Sequence, residues 1–174
     1  MQREPNWKVI FHSSNSHSTY LAGIANLRRK LGCKVYGYCL MPTHAHLIVN
    51  PGSSKGNLKI FMRELASLVG RYRSSAMSLE SRFLVIPIMS DPYLLSCARY
   101  VDLNPVRARM VARPEDYDWS SYRSRIGHAA CPWLDTAPCF LMGASVQEQQ
   151  QRYREYVECG IQEHPLQSAS NGLW

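Results

Sequence analysis

The chain has 174 residues and a mass of 19.9 kDa, enough for one cored domain with a small appendage. With 45% apolar and 19% charged residues and no internal repeat, it is not collagen-like, coiled-coil, solenoid or disordered. Residues 1–130 carry 18 basic and 8 acidic side chains, residues 131–174 carry 2 and 5, and the net charge is +7. A basic body with a mildly acidic tail points to a polyanionic partner, nucleic acid or an anionic membrane. No apolar run reaches the roughly 18–20 residues of a membrane span, and the first residues lead into no signal-peptide core. The expectation is therefore a soluble, intracellular protein with no membrane partner. The six cysteines (Cys33, Cys39, Cys97, Cys131, Cys139, Cys159) form no C-x-x-C pair and read as reduced, mostly buried apolar groups.

In chain order, Ser18–Leu31 places Leu21, Ile24, Ala25 and Leu27 on one helical face, with Arg28, Arg29 and Lys30 at the end that favours cations. Gly32 stops that helix. Cys33–Met41 is rich in β-branched and aromatic residues and reads as a strand, Pro42-Thr43 as a tight turn, and His44–Asn50 as a second strand. Leu58–Arg73 reads as an amphipathic helix, with Ile60, Phe61, Leu65 and Leu68 inward and Lys59, Arg63, Arg71 and Arg73 outward. Phe83–Ile88 is a further strand candidate, near an edge or end because of Pro87. Asp91 as N-cap and Pro92 at the first helical position open a helix to about Leu103, which Pro105 ends or kinks.

Arg113–Ser124 reads as a turn-rich wrap in which Tyr117, Trp119 and Tyr122 pack against the body. Residues 126–137 read as a linker and Ser145–Val157 as a polar helix. This order predicts an α+β fold, with helices on an antiparallel sheet over residues 1–126 and a linker with a helical, irregular extension over 127–174.

Two constellations carry chemistry. His44 and His46 lie two apart in a strand, so both imidazoles project from the face opposite Ala45, Leu47 and Val49. Such a pair is half a metal site, or a solvated or hydrogen-bonded pair. On the later helix Tyr100 and Asn104 are i, i+4 neighbours. They offer a phenol oxygen and an amide oxygen, or else a tyrosine at the core edge and an asparagine at the helix end.

Taken together, YCLMPTHAHLIVNP (38–51) and LLSCARYVDLNPVRARMVARPEDYDWSSYRS (94–124) resemble the single-tyrosine transposases of the HUH superfamily. The closer resemblance is to the REP-associated tyrosine transposases, over roughly residues 11–126. It implies a ferredoxin-like palm of antiparallel strands backed by helices, and DNA-strand cleavage through a covalent 5′-phosphotyrosine. Tyr100 takes the place of the nucleophile, and His44, His46 and Asn104 those of the metal ligands. The resemblance favours Mg²⁺ or Mn²⁺ where imidazoles alone would suit zinc.

It further implies single-stranded or hairpin DNA as partner, a monomer or homodimer, and a bacterial cytoplasmic protein that joins the nucleoid when bound. Arg71, Arg73, Arg82, Arg99, Arg107 and Arg109 flank the proposed site and are candidate phosphate contacts. Tyr72, between Arg71 and Arg73, is a rival nucleophile or a packing residue.

Two stretches depart from the family pattern. Only residues 1–10 precede the phenylalanine aligned with Phe11, so a partner strand from a second copy, or an upstream start, would complete the sheet. The Gly-x-Leu-Trp stretch before Arg82-Phe83 is missing. The alternative function is a DNA-binding module, descended from such an enzyme, that has lost cleavage. A metal-dependent hydrolase of small phosphoesters fits the extended positive charge less well.

Overall fold

The computed structural model describes residues 9–54, 56–71 and 83–163. Helix α1 spans Ser14–Leu31, earlier than its apolar face alone indicates. Ser13 and Ser16 form a reciprocal capping box, each side chain bonded to the other's backbone N–H at 3.3 and 3.2 Å. Gly32, with φ 64°, closes the helix in the left-handed conformation that a glycine adopts without penalty.

Strand β1 (Lys34–Met41) turns at Pro42-Thr43 into the antiparallel strand β2 (His44–Asn50). Met41 pairs with His44 and Cys39 with His46; one extra residue in β1, between Val35 and Gly37, makes a bulge. One face, through Tyr38, Leu40, Ala45, Leu47 and Val49, packs with α1 and with α2 (Gly56–Arg71) around Ile24, Phe61 and Leu65. The other, through Cys39, Met41 and Ile48, packs on Leu94, Ala98 and Val101 of α3 (Asp91–Arg107).

The fold is thus α+β, with a two-stranded antiparallel sheet among the described residues. Phe83–Ile88 is not a strand: these residues have no regular structure, and Leu84 is 68% exposed. A β-prone run becomes a strand only where it pairs with a sheet edge, and among the described residues these pair with none.

The outer edge of β1 is taken by the segment expected to wrap and link. Leu40 N–H donates to the Trp119 carbonyl and Ser121 N–H to the Tyr38 carbonyl, both at 2.9 Å. Further along, Asp135 N–H donates to the Val35 carbonyl while Val35 N–H donates to Asp135 Oδ2, both at 2.8 Å. Residues 126–137 therefore do not form a free linker. Trp133 stacks on Tyr38 with ring centroids 5.4 Å apart, and Asp135 takes both Arg28 Nε and Arg28 Nη2. The wrap packs as expected: Tyr122 is fully buried, Tyr117 Oη donates to the Leu40 carbonyl at 2.6 Å, and Trp119 stacks on His17. Short helix α4 (Tyr122–Arg125) and helix α5 (Val146–Glu163) complete the chain; Tyr153 and Val157 of α5 enter the α3 core.

Several local expectations change. The N-cap of α3 is Ser90, with Asp91 inside the first turn, and the helix runs through Pro105 to Arg107. Proline removes one N–H from the ladder, but the Pro105 ring is fully buried and Met110 N–H reaches its carbonyl at 2.9 Å. Ile60 is 38% exposed, because Phe61 and Leu65 occupy the buried face of α2. The six cysteines are free as expected, yet only Cys33 and Cys39 are buried. Arg73, Arg82 and Tyr72 lie outside the described residues, as does the Arg71 side chain. Among the described residues no helix is long and apolar enough to cross a membrane.

Burial raises the pKa of Asp135, but hydrogen bonds from Arg28 and Val35 and the Arg28 and Lys34 charges outweigh it, so the net value is lowered from 3.8. Its contribution is full above that ordinary value and is lost as pH falls through the lower folded one. Asp135→Ala is expected to destabilise the protein by about 2 kcal/mol near neutral pH in urea unfolding. The loss should shrink in strong acid; an unchanged midpoint at neutral pH would contradict this role.

Candidate functional site

Alternation along β2 sends His44 and His46 to the α3 side of the sheet. The two-residue turn places them at the rim, beside the C-terminal half of α3. Their Nε2 atoms lie 3.0 Å apart, and the rings meet edge to face with centroids 4.8 Å apart. Thr43 Oγ1 lies 3.0 Å from His44 Nδ1. In the Nε2 contact one ring donates and the other accepts; the Thr43 hydroxyl, able to do either, suits both tautomers of His44.

Tyr100 stands against this pair from α3. Its ring meets His46 edge to face, with centroids 5.8 Å apart and planes at 89°, and Tyr100 is 40% exposed. Asn104, one turn later, donates from Nδ2 to the Tyr100 carbonyl at 2.8 Å. Its side chain also lies beside His46, where it offsets part of the lowering of that imidazole's pKa. Its amide nitrogen is engaged by the Tyr100 carbonyl. The structure thus brings His44, His46, Tyr100 and Asn104 together at one rim.

Burial lowers the pKa of both histidines, and His46 falls to about 4 because its neighbour's charge adds to burial. Both imidazoles are neutral at pH 7 and carry ring lone pairs, the form that binds metal. Among the described residues no three His, Cys, Asp or Glu side chains cluster; the third donor available here is the Asn104 amide, which is none of these. Two nitrogens about 2.1 Å from one ion and at right angles around it stand about 3 Å apart. The 3.0 Å separation of the Nε2 atoms meets that requirement. A divalent cation fits the two imidazoles at this spacing, with the Asn104 amide beside His46.

The arginines divide. Arg107 Cζ lies over the Tyr100 ring, 5.1 Å from its centroid, so a cation sits beside the phenol. Arg99 turns the other way, onto the Tyr156 ring of α5 at 4.5 Å. Arg109 is exposed just past the end of α3, with φ 57°. Two residues absent from the expected site touch its supports. Thr43 sets the orientation of His44, and the Pro-Thr-His order was its signal. Asp102, 1% exposed between Tyr100 and Asn104, accepts the Tyr153 hydroxyl at 2.7 Å. A carboxylate on the apolar side of a helix was the available hint.

Comparison with protein-family models found no match, and searches of curated proteins and of solved structures found no significant match.

The His46 titration gives a direct check. Its ring resonances are expected to titrate with a midpoint near 4 in NMR; a midpoint near the ordinary 6.5 would show the ring to be freely hydrated. The unfolded chain takes up this proton first, so the group lowers stability as pH drops from about 6.5 towards 4. Burial raises Asp102 to about 6 against the pull of Arg125, Tyr153 and Ser121, and acts in the opposite sense over much of the same window. Comparison of wild type with His46→Gln in urea isolates the histidine: the variant should lose the His46 share of the acid-side decline, while the shares of His44 and Asp135 remain.

Proposed function

We propose that this chain is a metal-dependent single-stranded DNA nickase and strand transferase of the transposase type, acting through Tyr100. What carries the reading is one contact: the Tyr100 ring against His46, whose Nε2 lies 3.0 Å from that of His44. It is the juxtaposition that the resemblance to REP-associated tyrosine transposases requires of residues 54 positions apart. The ferredoxin-like palm belongs to the same proposal, since the described sheet has two strands.

His44, His46 and Asn104 would hold the cation. When bound, Mg²⁺ or Mn²⁺ supplies positive charge to a non-bridging oxygen of the scissile phosphate. The chain's own residues do the rest. Tyr100 Oη attacks phosphorus in line, forming the phosphotyrosine bond as the bond to the 3′ oxygen breaks. The phenol's proton passes to solvent, and the departing 3′ oxygen takes one up as a hydroxyl. Attack by a free 3′ hydroxyl reverses the step and rejoins a strand.

Arg107, over the Tyr100 ring, is placed to neutralise charge on the phosphate as it gathers there. Arg109 extends the positive rim towards the flanking backbone. The partner is single-stranded or hairpin DNA, in keeping with the 18 basic residues of the first 130, and the setting is the bacterial nucleoid.

The test is incubation with labelled hairpin-bearing oligonucleotides and Mn²⁺, followed by denaturing electrophoresis. A protein–DNA band that survives denaturation is expected, absent in Tyr100→Phe and reduced at least about a hundredfold in His44→Ala. Arg107→Ala should slow its formation by about tenfold. Salt-sensitive binding without any adduct, in every divalent metal, would overturn the enzyme reading and leave the DNA-binding module. An adduct in Tyr100→Phe would reject this nucleophile.

A further inference from the structure

Helix α3 presents three faces, and the chemistry proposed above uses one of them. Tyr100 and Asn104 meet β2; Arg99 and Leu103 meet α5, where a Cβ on Gly160 would come within 2.8 Å of Arg99 Cδ and 3.1 Å of Leu103 Cδ1. The remaining side holds Asp102. Its Oδ2 accepts the Tyr153 hydroxyl at 2.7 Å, and its Oδ1 lies 3.4 Å from Ser121 Oγ, whose single proton is shared with the Tyr38 carbonyl at 3.2 Å. Ser121 Oγ in turn accepts the Tyr38 N–H at 3.0 Å. A continuous polar tie therefore runs from α5 through α3 to β1, the partner strand of the histidines.

Every member of the tie lies in the core: Asp102 and Tyr153 are 1% exposed, Ser121 fully buried and Tyr38 6% exposed. A buried carboxylate is costly unless it is hydrogen-bonded, and a leucine would fill the same space without that cost. What a carboxylate adds is direction. Apolar contacts tolerate sliding and rotation of a helix, whereas a 2.7 Å hydrogen bond to a fixed hydroxyl does not. Asp102 lies two residues from both Tyr100 and Asn104, so any rotation of α3 that breaks the tie also swings those side chains.

We infer that Asp102 and Tyr153 are positioning residues, which fix the rotation and axial place of α3 so that the Tyr100 ring stands against His46. The inference rests on the reading of Tyr100 as nucleophile. It gives the C-terminal helix a part in the reaction although it contributes no reacting atom.

Two readouts test it. The first is the single-turnover rate constant of adduct formation at saturating hairpin DNA, which does not depend on how much protein is folded. The second is the resonance position of the His46 ring protons, which the edge-to-face Tyr100 ring shifts. Tyr153→Phe is expected to slow the rate constant about tenfold while leaving the Kd for hairpin DNA within about twofold. It should also move the His46 resonances towards those of Tyr100→Leu.

Asp102→Asn keeps an oxygen that accepts the Tyr153 hydroxyl and should stay within about threefold of wild type. Because Tyr153→Phe strands a buried carboxylate oxygen, the double variant Asp102→Leu/Tyr153→Phe, with neither polar group, is measured beside it and should be as slow. Unmoved His46 resonances in both, a wild-type rate constant in either, or an Asp102→Asn as slow as Tyr153→Phe would overturn the inference. If wild type itself forms no adduct, the functional reading fails and the resonance comparison alone decides the tie.

Discussion

Because side chains alternate along a strand, the register of one hairpin decides which core each residue of this protein enters. Pairing Met41 with His44 and Cys39 with His46 sends the imidazoles towards α3 and sends Ala45, Leu47 and Val49 into the cluster around Phe61 and Leu65. A slip of one residue would press both histidines into that apolar cluster and turn Leu47 towards Tyr100. Two things hold the register. The Pro42-Thr43 turn fixes its start, and the bonds of Trp119, Ser121 and Asp135 to β1 fix its outer edge. The late segment of the chain thus does for β1 what a third strand would do.

The rim site follows from that register and from the way α3 is built. Leu94, Ala98 and Val101 bury one stripe against Cys39, Met41 and Ile48, and Tyr100 emerges beside that stripe instead of within it. At 40% exposure Tyr100 is open to solvent while its ring still rests on His46. The histidines pay for their position with lowered basicity, since burial disfavours their charged forms. A pair of imidazoles neutral at pH 7 is poorly suited to holding an anion directly. It is better suited to holding a cation, and the guanidinium of Arg107 lies over the neighbouring Tyr100 ring.

The hairpin and its histidines were legible in the sequence because a period-two pattern, a proline at the turn and β-branched residues all agree. The bounds of β2 fall where that pattern places them. The i, i+4 relation of Tyr100 and Asn104 was equally local. What could not be read was whether the two constellations meet, because that depends on packing across more than fifty residues. The role of Asp135 was invisible for another reason. Residues 126–137 have no hydrophobic period, and a segment held by ladder bonds and one ion pair leaves no periodic trace. The expected strand at Phe83–Ile88 failed in the opposite way: its composition favours a strand, but composition supplies no partner edge. Pro105 does not itself end the helix, which runs two residues further to Arg107, and its ring is buried.

The division of charge along the chain acquires a physical sense from this architecture. The acidic 131–174 region does not oppose the basic body as a separate tail. It lies partly within the core, where Tyr153 meets Asp102 and where Tyr156 carries Arg99 on its ring. Turned onto α5, Arg99 is drawn away from the rim that Arg107 and Arg109 border. Arg107 is left as the guanidinium over the Tyr100 ring, its pKa lowered by burial and by the Arg99 charge. The packing of the C-terminal helix and the pairing of a guanidinium with the phenol are consequently set by neighbouring residues of α3.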